Sequence, residues 1–255
     1  MKTILFGAAG MVAAIGGYAA VQRQVAPVKA APATGQAKVA PGALVEAQGK
    51  KIVVELFTSQ GCSSCPPADA VLEALAKEPG VIAISRPVTY WDRLGWKDTL
   101  AREENTSLQR AYATHGGAGA GVYTPQAVVQ GAGALVGSRG TQLRQMVAEA
   151  RARPQPSLVA GRGAVAIDGK TSGTATVSLI ALRGHVDVAI GHGENGGRSV
   201  RYTNVFRSER TLGQWKGGKA SFAIPAAALK VEGADRFAVI VRQGAAGPIL
   251  AGTYY

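Results

Sequence analysis

Apolar residues follow three regimes along the chain. Residues 3–21 form one uncharged run, preceded by Lys2 and closed by Gln22 and Arg23. Residues 24–50 are rich in Ala, Pro, Gly and Gln without any period, the composition of a flexible linker. Order begins at Lys51. Ile52, Val53, Val54, Leu56 and Phe57 make a short, nearly continuous apolar run, which predicts a strand buried on both faces. Ala68, Val71, Leu72, Leu75 and Ala76 recur at helical spacing, and Pro79-Gly80 ends that helix. Residues 81–88 read as a second strand. Residues 97–115 are charged and predict a helix with a weak apolar face of Leu100, Leu108, Ala111 and Tyr112, broken by the Gly-rich run 116–121. Residues 127–129 and 134–136 read as strands, and Leu143, Met146, Val147 and Ala150 mark a last helix. The order β-α-β, then α-β-β-α, predicts an α/β domain over residues 51–153.

Arg153-Pro154-Gln155-Pro156 reads as a domain boundary. Beyond it the helical period disappears. Short apolar runs recur at 163–167, 174–182, 186–190, 199–206, 220–224, 237–242 and 248–251, separated by glycines. Val186, Val188 and Ile190 alternate with His185, Asp187 and Ala189, as in a strand with one buried face. About seven short strands with Gly turns predict an all-β, sandwich-like domain over residues 157–255.

Composition narrows the function classes. At 255 residues, 47% hydrophobic and 17% charged, the chain is too apolar to be disordered. Only the N-terminal run is long enough to enter a membrane, which excludes a multi-span transporter. A basic start, an apolar run and small residues after it read as a signal peptide over residues 1–23, with Gly17-x-Ala19 or Val28-x-Ala30 as cleavage point. Nineteen uncharged residues also just span a bilayer, so an uncleaved inner-membrane anchor is the alternative. Either reading puts the body in the periplasm or outside the cell, where thiols can be oxidised.

The chain holds two cysteines and three histidines, which excludes a Cys-rich zinc site and a disulfide-stapled miniprotein. The cysteines form Cys62-Ser63-Ser64-Cys65, between the buried strand and the helix. At a helix start, free N–H groups and the dipole favour an anion and lower a thiol's pKa. Cys62 is the candidate nucleophile, expected to point outward. Cys65 is the resolving thiol that attacks the mixed disulfide. The alternatives are a structural disulfide, which closes too small a loop to remove much unfolded-state entropy, and a two-Cys metal site, for which no His lies near. Pro66-Pro67 fits only the first helical turn, so the helix should start near Cys65 with Cys62 in the preceding loop.

A strand, a Cys-x-x-Cys helix and a later Thr124-Pro125 at a strand start resemble the thioredoxin superfamily. More narrowly, VELFTSQGCSSCPPAD, TYWDRLGWKD, VYTPQAVVQG and GENGGRSVRYTNVFRSERTLGQWKG resemble a bacterial family of secreted thioredoxin-like proteins, domain-of-unknown-function family 1223, over most of residues 51–255. The resemblance implies a cis Pro125 against the dithiol, with Thr124 offering backbone groups to an extended substrate. A trans turn proline is the alternative. It also implies that Glu55, an acid inside the apolar first strand, matches the buried carboxylate that takes the proton of the second cysteine. The other reading is a strand-end Glu reaching solvent or an arginine. The Ser-Ser between the cysteines and the double proline after them depart from ordinary thioredoxins.

The expected function is therefore an exported thiol-disulfide oxidoreductase acting on protein thiols or disulfides. A non-enzymatic binding or adaptor protein with a structural or sensing disulfide is the alternative. No cofactor or metal is expected, since His115, His185 and His192 show no ligand spacing, with or without Asp187. Tyr90, Trp91, Asp92 and Trp96 form either an apolar lip beside the thiols or the packing of the following helix. Asn105-Thr106-Ser107 matches an N-glycosylation acceptor. Partners include a redox partner at the membrane. The net charge of +12 (28 basic, 16 acidic) points to an anionic partner. Export and the lack of aromatic-basic interleaving argue against nucleic acid. Arg198, Arg201, Arg207 and Arg210, with Lys216 and Lys219, concentrate positive charge in one stretch. Even spacing puts Arg201 and Arg207 on one strand face unless a bulge intervenes. A scattered, solvated set of charges is the alternative.

Overall fold

The computed structural model describes residues 49–115 and 121–255. The leader read over 1–23, the linker read over 24–50 except its last two residues, and residues 116–120 lie outside the described residues. Ile52–Thr58 (β1) and Val81–Pro87 (β2) are buried throughout and pair in parallel, with Pro66–Ala76 (α1) as the crossover. A parallel pair needs such a crossover, and α1 supplies it. Two prolines open α1 where an N–H would have no partner within the helix. Glu103–His115 (α2) begins later than the charge pattern predicts, because Asp98 holds residues 98–101 in a turn by accepting the N–H groups of Leu100 and Ala101. Gln126–Val129 (β3) runs antiparallel to β1, and Gly133–Val136 (β4) antiparallel to β3. Gly140–Ala152 (α3) follows. One face of β1, Ile52, Val54 and Leu56, packs on Ala68, Leu72 and Leu75 of α1 and on Leu143 and Val147 of α3.

The remaining elements are Ser157–Gly161 (β5), Ala164–Asp168 (β6), Ala175–Ala189 (β7), Ser199–Trp215 (β8), Ala220–Ala223 (β9), Arg236–Gln243 (β10) and Ile249–Tyr254 (β11). They correct the division into two domains at residues 153–157. β7, β8, β10 and β11 continue the sheet of β1–β4 into one mixed, eight-stranded sheet of order β11-β10-β7-β8-β2-β1-β3-β4. β8 lies parallel to β2 at Ser85 and Val205. All described residues fall in one compact unit. The protein is thus mostly β, with a second, three-stranded sheet β5-β6-β9. That small sheet packs Val165 and Ile167 on Val177, Leu179, Val239 and Val241, so residues 157–255 do contain two facing β layers. The larger layer is shared with the N-terminal half. The two runs read at 174–182 and 186–190 are one strand, paired along its length with β8.

The reason for the shared sheet lies in β1. A strand apolar on both faces needs two covers. Helices cover one face, and Val53, on the other, packs with Ile82 and Ile84 against Ile180, Leu182, Ile240 and Ile249. β11 passes so close that a Cβ on Gly252 would lie 2.8 Å from Val53 Cγ2 and 3.0 Å from Ile82 Cδ1. Gly252→Val is therefore expected to lower stability by about 1–3 kcal/mol, the usual cost of overpacking. Gly173→Val, where nothing lies within 4 Å, is the control. Urea midpoints measure both, and equal midpoints would show that this face yields. Among the described residues, no helix is long and apolar enough to cross a membrane.

Candidate dithiol site

Cys62 and Cys65 form a disulfide with a Cα–Cα distance of 5.4 Å. Cys65 is the N-cap residue of α1, and Cys62 lies in the loop before it, as the double proline predicts. The Cys65 N–H donates to the Cys62 carbonyl at 3.1 Å and closes the four residues into a turn. One expectation is corrected here: Cys62 does not point outward. It is 1% exposed and Cys65 is fully buried, while Ser63 and Ser64 between them face solvent.

The C-terminal half holds the dithiol loop. Residues 190–198, the connection from β7 to β8, lie against it. Asn195 is fully buried, and its Nδ2 donates to the carbonyls of Gln60 at 3.0 Å and Cys62 at 2.8 Å. Glu194 Oε2 accepts the Ser63 N–H at 2.9 Å. Trp96 Nε1 donates to Gln60 Oε1 at 2.8 Å, and the Trp96 side chain lies against His192 and the glycines on either side of it, with its ring on Gly191. Neither Glu194 nor Asn195 is among the site residues expected from the sequence. An Asn in a Gly-rich turn was the available signal, and nothing in the local pattern said that it is buried or which carbonyls it meets.

The Thr124–Pro125 bond is cis. Thr124 Oγ1 accepts a hydrogen bond from Trp91 Nε1 at 2.8 Å. Gly137 sits between Pro125 and Ala68: a Cβ there would lie 3.6 Å from Pro125 Cβ and 3.1 Å from Ala68 Cβ. Pro125 thus borders the first turn of α1, three residues after Cys65. Tyr90, Trp91, Asp92 and Trp96 are half-buried. The two tryptophans tie their loop to Thr124 and to Gln60, so both lie beside the dithiol loop.

Glu55 is placed otherwise than expected. Side chains alternate along β1, so Thr58 faces α1 and Glu55 faces away from it. The Glu55 carboxylate is fully buried between Arg86 Nε at 2.7 Å and Arg242 Nη2 at 2.9 Å, and it also accepts from the Tyr112 hydroxyl, to which Arg242 donates. Burial alone would raise its pKa, but Arg242 and Arg86 outweigh burial and hold it below the usual carboxylate range. A carboxylate kept charged on the far face of β1 is not set to take a proton from Cys65. The arginine alternative is the one observed.

The buried acid on the dithiol side is Asp69. It lies one helical turn after Cys65, and its N–H donates to the Cys65 carbonyl at 3.1 Å. Oδ2 accepts from Thr58 Oγ1 at 3.1 Å, and Oδ1 has no hydrogen-bond partner among the described residues. Burial pushes its pKa well above the ordinary Asp value. The Thr58 bond opposes this and the Asp98 charge adds to it. Asp98 is pushed up by burial to about 6, despite N–H bonds from Gln60, Leu100 and Ala101. Tyr202 of β8 is held protonated by burial and by these two carboxylates. Residues 65, 69, 72 and 76 share one helix face, so the spacing carries a signal for Asp69, which is not among the site residues expected above.

Other candidates are used inside the fold. Asn105 is buried, accepting from Arg86 Nη1 and donating to the Pro87 carbonyl, so it is not available as a glycosylation acceptor. His185 Nδ1 lies 3.4 Å from Thr203 Oγ1, and Asp187 accepts two hydrogen bonds from Arg201. Among the described residues, no group of three or more His, Cys, Asp and Glu could hold a metal ion. A bulge falls at Arg207, where Ala181 pairs with Ser208 and Leu182 with Phe206. With that bulge between them, even spacing does not put Arg201 and Arg207 on one strand face. Arg198 is bonded to the Asn195 side chain, Arg207 is half-buried beside Gly233, and Arg210 is exposed.

Fold and site together define a mostly β protein that carries a covered Cys-x-x-Cys disulfide at the head of a helix. The chain belongs to the family described as "Protein of unknown function (DUF1223)", whose model matches residues 53–242. It is also similar to a "Probable Thioredoxin" of Archaeoglobus fulgidus, 49% identical over 37 residues, or 14% of this chain. The match spans 41% of that relative's length. Among solved structures, the crystal structure of protein AGR_C_4864 from Agrobacterium tumefaciens is similar with a TM-score of 0.68 and 29% identity, covering 81% of this chain and 94% of that one. HBP35 of Porphyromonas gingivalis is matched with a TM-score of 0.49 and 13% identity, over 81% of this chain and 75% of that one.

Proposed function

We propose that the protein is an exported thiol-disulfide oxidoreductase, built on a thioredoxin-like core, in which Cys62 attacks and Cys65 resolves. The observation that carries this reading is the Cys62–Cys65 disulfide at the head of α1 with the buried Asp69 one turn behind it. The β1-α1-β2 crossover, the antiparallel β3–β4 pair and α3 support the core, as does the short likeness to an archaeal probable thioredoxin. The leader read at residues 1–23 supports export to the periplasm or beyond.

The chemistry runs in two exchanges. In the reduced protein the Cys62 thiolate attacks one sulfur of a substrate disulfide. That S–S bond breaks, a Cys62–substrate disulfide forms, and the departing thiolate takes a proton. Cys65 then passes its proton to the Asp69 carboxylate, and its thiolate attacks the Cys62 sulfur. The mixed disulfide breaks, the second substrate thiol leaves, and Cys62–Cys65 remains as the disulfide. Two electrons have passed to the substrate. The same steps in reverse oxidise a substrate dithiol.

Cys65→Ser is the test. Incubated reduced with a denatured, disulfide-bearing protein, the variant is expected to accumulate a dithiothreitol-sensitive adduct mapped to Cys62. Cys62→Ser should give far less. No adduct, or an adduct on Cys65 alone in the Cys62 variant, would sink the assigned roles. The burial of both cysteines favours a second reading, an adaptor in which the disulfide is structural. In that case the wild-type pair should resist reduction by glutathione and Cys65→Ser should trap nothing.

A further inference from the structure

Pro66 and Pro67 open α1 and carry no N–H. A helix start ordinarily offers several unpaired N–H groups to an anion. Here the N–H groups of Ala68 and Asp69 both turn back to the Cys65 carbonyl, at 2.8 and 3.1 Å. The amides that remain next to Cys62 are those of Ser63 and Ser64. The Ser63 N–H is taken by the Glu194 carboxylate. That carboxyl is exposed, and the Ser63 hydroxyl and N–H hold it below the usual range, so it is ionised at neutral pH. A negative charge thus sits beside Cys62 and occupies a donor that would otherwise favour its thiolate.

Asn195 acts on the same loop by another route. Its amide spans two carbonyls, one on each side of Gly61, and its Oδ1 accepts from Arg198 Nη1 at 3.3 Å. The other ionisable groups at this site are Asp98, which accepts the Gln60 N–H, the buried Asp69 behind Cys65, Tyr202 of β8, Arg198, which holds Asn195, and His192, which lies against Trp96.

We propose that the 190–198 loop controls the dithiol from the C-terminal half: Glu194 is a positioning residue that keeps Cys62 a weak acid, and Asn195 is a latch that keeps it covered. The inference rests on the reading of Cys62 as the attacking thiol. A partner that draws the Glu194 carboxylate away, or lifts the loop, would leave Cys62 both more acidic and more accessible. Substrate docking would then switch on the exchange.

The test separates acidity from cover. Reduced protein is alkylated with iodoacetamide over a pH series, and the rate at Cys62 is read by peptide mapping. The pH midpoint reports acidity, and the limiting rate at alkaline pH reports access. Glu194→Gln is expected to lower the midpoint by about half a pH unit to one unit, the range for removing a partly screened like charge. Glu194→Lys should lower it further. Asn195→Ala should raise the limiting rate about fivefold, the factor one ordinary hydrogen bond allows, with Asn195→Ser as the second variant should the first not fold. An unmoved midpoint in both Glu194 variants overturns the acidity role. An unchanged limiting rate in the folded Asn195 variant overturns the latch. A moved midpoint without any trapped mixed disulfide in Cys65→Ser would sink the oxidoreductase reading and leave the loop's role intact.

Discussion

Glu55→Ala is expected to remove about 3–5 kcal/mol of stability, the cost of leaving a buried charge without its partner. Two guanidinium groups, Arg86 and Arg242, converge on this carboxylate, and all three side chains are buried. Arg86 also stacks over Phe206 and Arg242 over Tyr112, so the cluster joins β1, β2, β8, β10 and α2. Domains commonly hold only 5–15 kcal/mol in all, so the variant should be largely unfolded under conditions where wild type is native. Glu55→Gln keeps the shape and removes the charge, and it should fall nearly as far. Denaturant midpoints by circular dichroism measure both. A loss under about 1 kcal/mol in each would mean that the cluster relaxes without its anion. The pH dependence follows from the same pairing. The folded pKa of Glu55 lies below its unfolded value, so its stabilisation is fully present above the unfolded value and fades as pH falls through the folded one.

Asp69→Asn is expected to act in the opposite sense on stability and to damage function. A group whose folded pKa is raised stabilises the fold only where it is protonated. Its contribution is present below the unfolded value and is lost as pH rises through the folded one. Asp69 is raised well above 3.8 and Asp98 to about 6, so both make the fold less stable at neutral pH than in mild acid. For Asp98 the loss falls between roughly pH 4 and pH 6. An amide at position 69 needs no ionisation, so Asp69→Asn should raise the unfolding midpoint at pH 7 and flatten its decline with pH. It should also slow resolution of a Cys62 mixed disulfide about 100-fold, the lower range of general acid–base catalysis. Stopped-flow exchange, with the midpoint measured in parallel, reads both. An unchanged resolution rate would remove Asp69 from the mechanism, and a lowered midpoint would show that its charged form is stabilised by a group not recognised at this site.

Local chemistry was legible in the chain. The period of residues 51–152 located β1, α1, β2, β3, β4 and α3, because each is a short element whose apolar spacing reports its own type. Cys62-x-x-Cys65 and Pro66-Pro67 placed a disulfide loop before a helix starting near Cys65, because proline cannot stand deeper in a helix. Pairing between distant elements was not legible. Two β layers over residues 157–255 could be read from alternation, but alternation names a buried face and not the neighbour that buries it. Only the tertiary structure joined β8 to β2 and laid β10 and β11 behind β1. The same limit governed the site. Glu55 in its apolar strand was readable either as a proton acceptor or as the partner of an arginine, and only the fold decided, by closing Arg86 and Arg242, 31 and 187 residues away in sequence, on it. Asp69 inherited the dithiol face because Thr58 and α1 share one side of β1. Asn195 came to the Cys62 carbonyl from 133 residues further along the chain. Residue spacing along a chain sets which side chains share an element face. Which faces meet depends on the whole sheet finding its order, and that order is what brought the C-terminal half onto the dithiol.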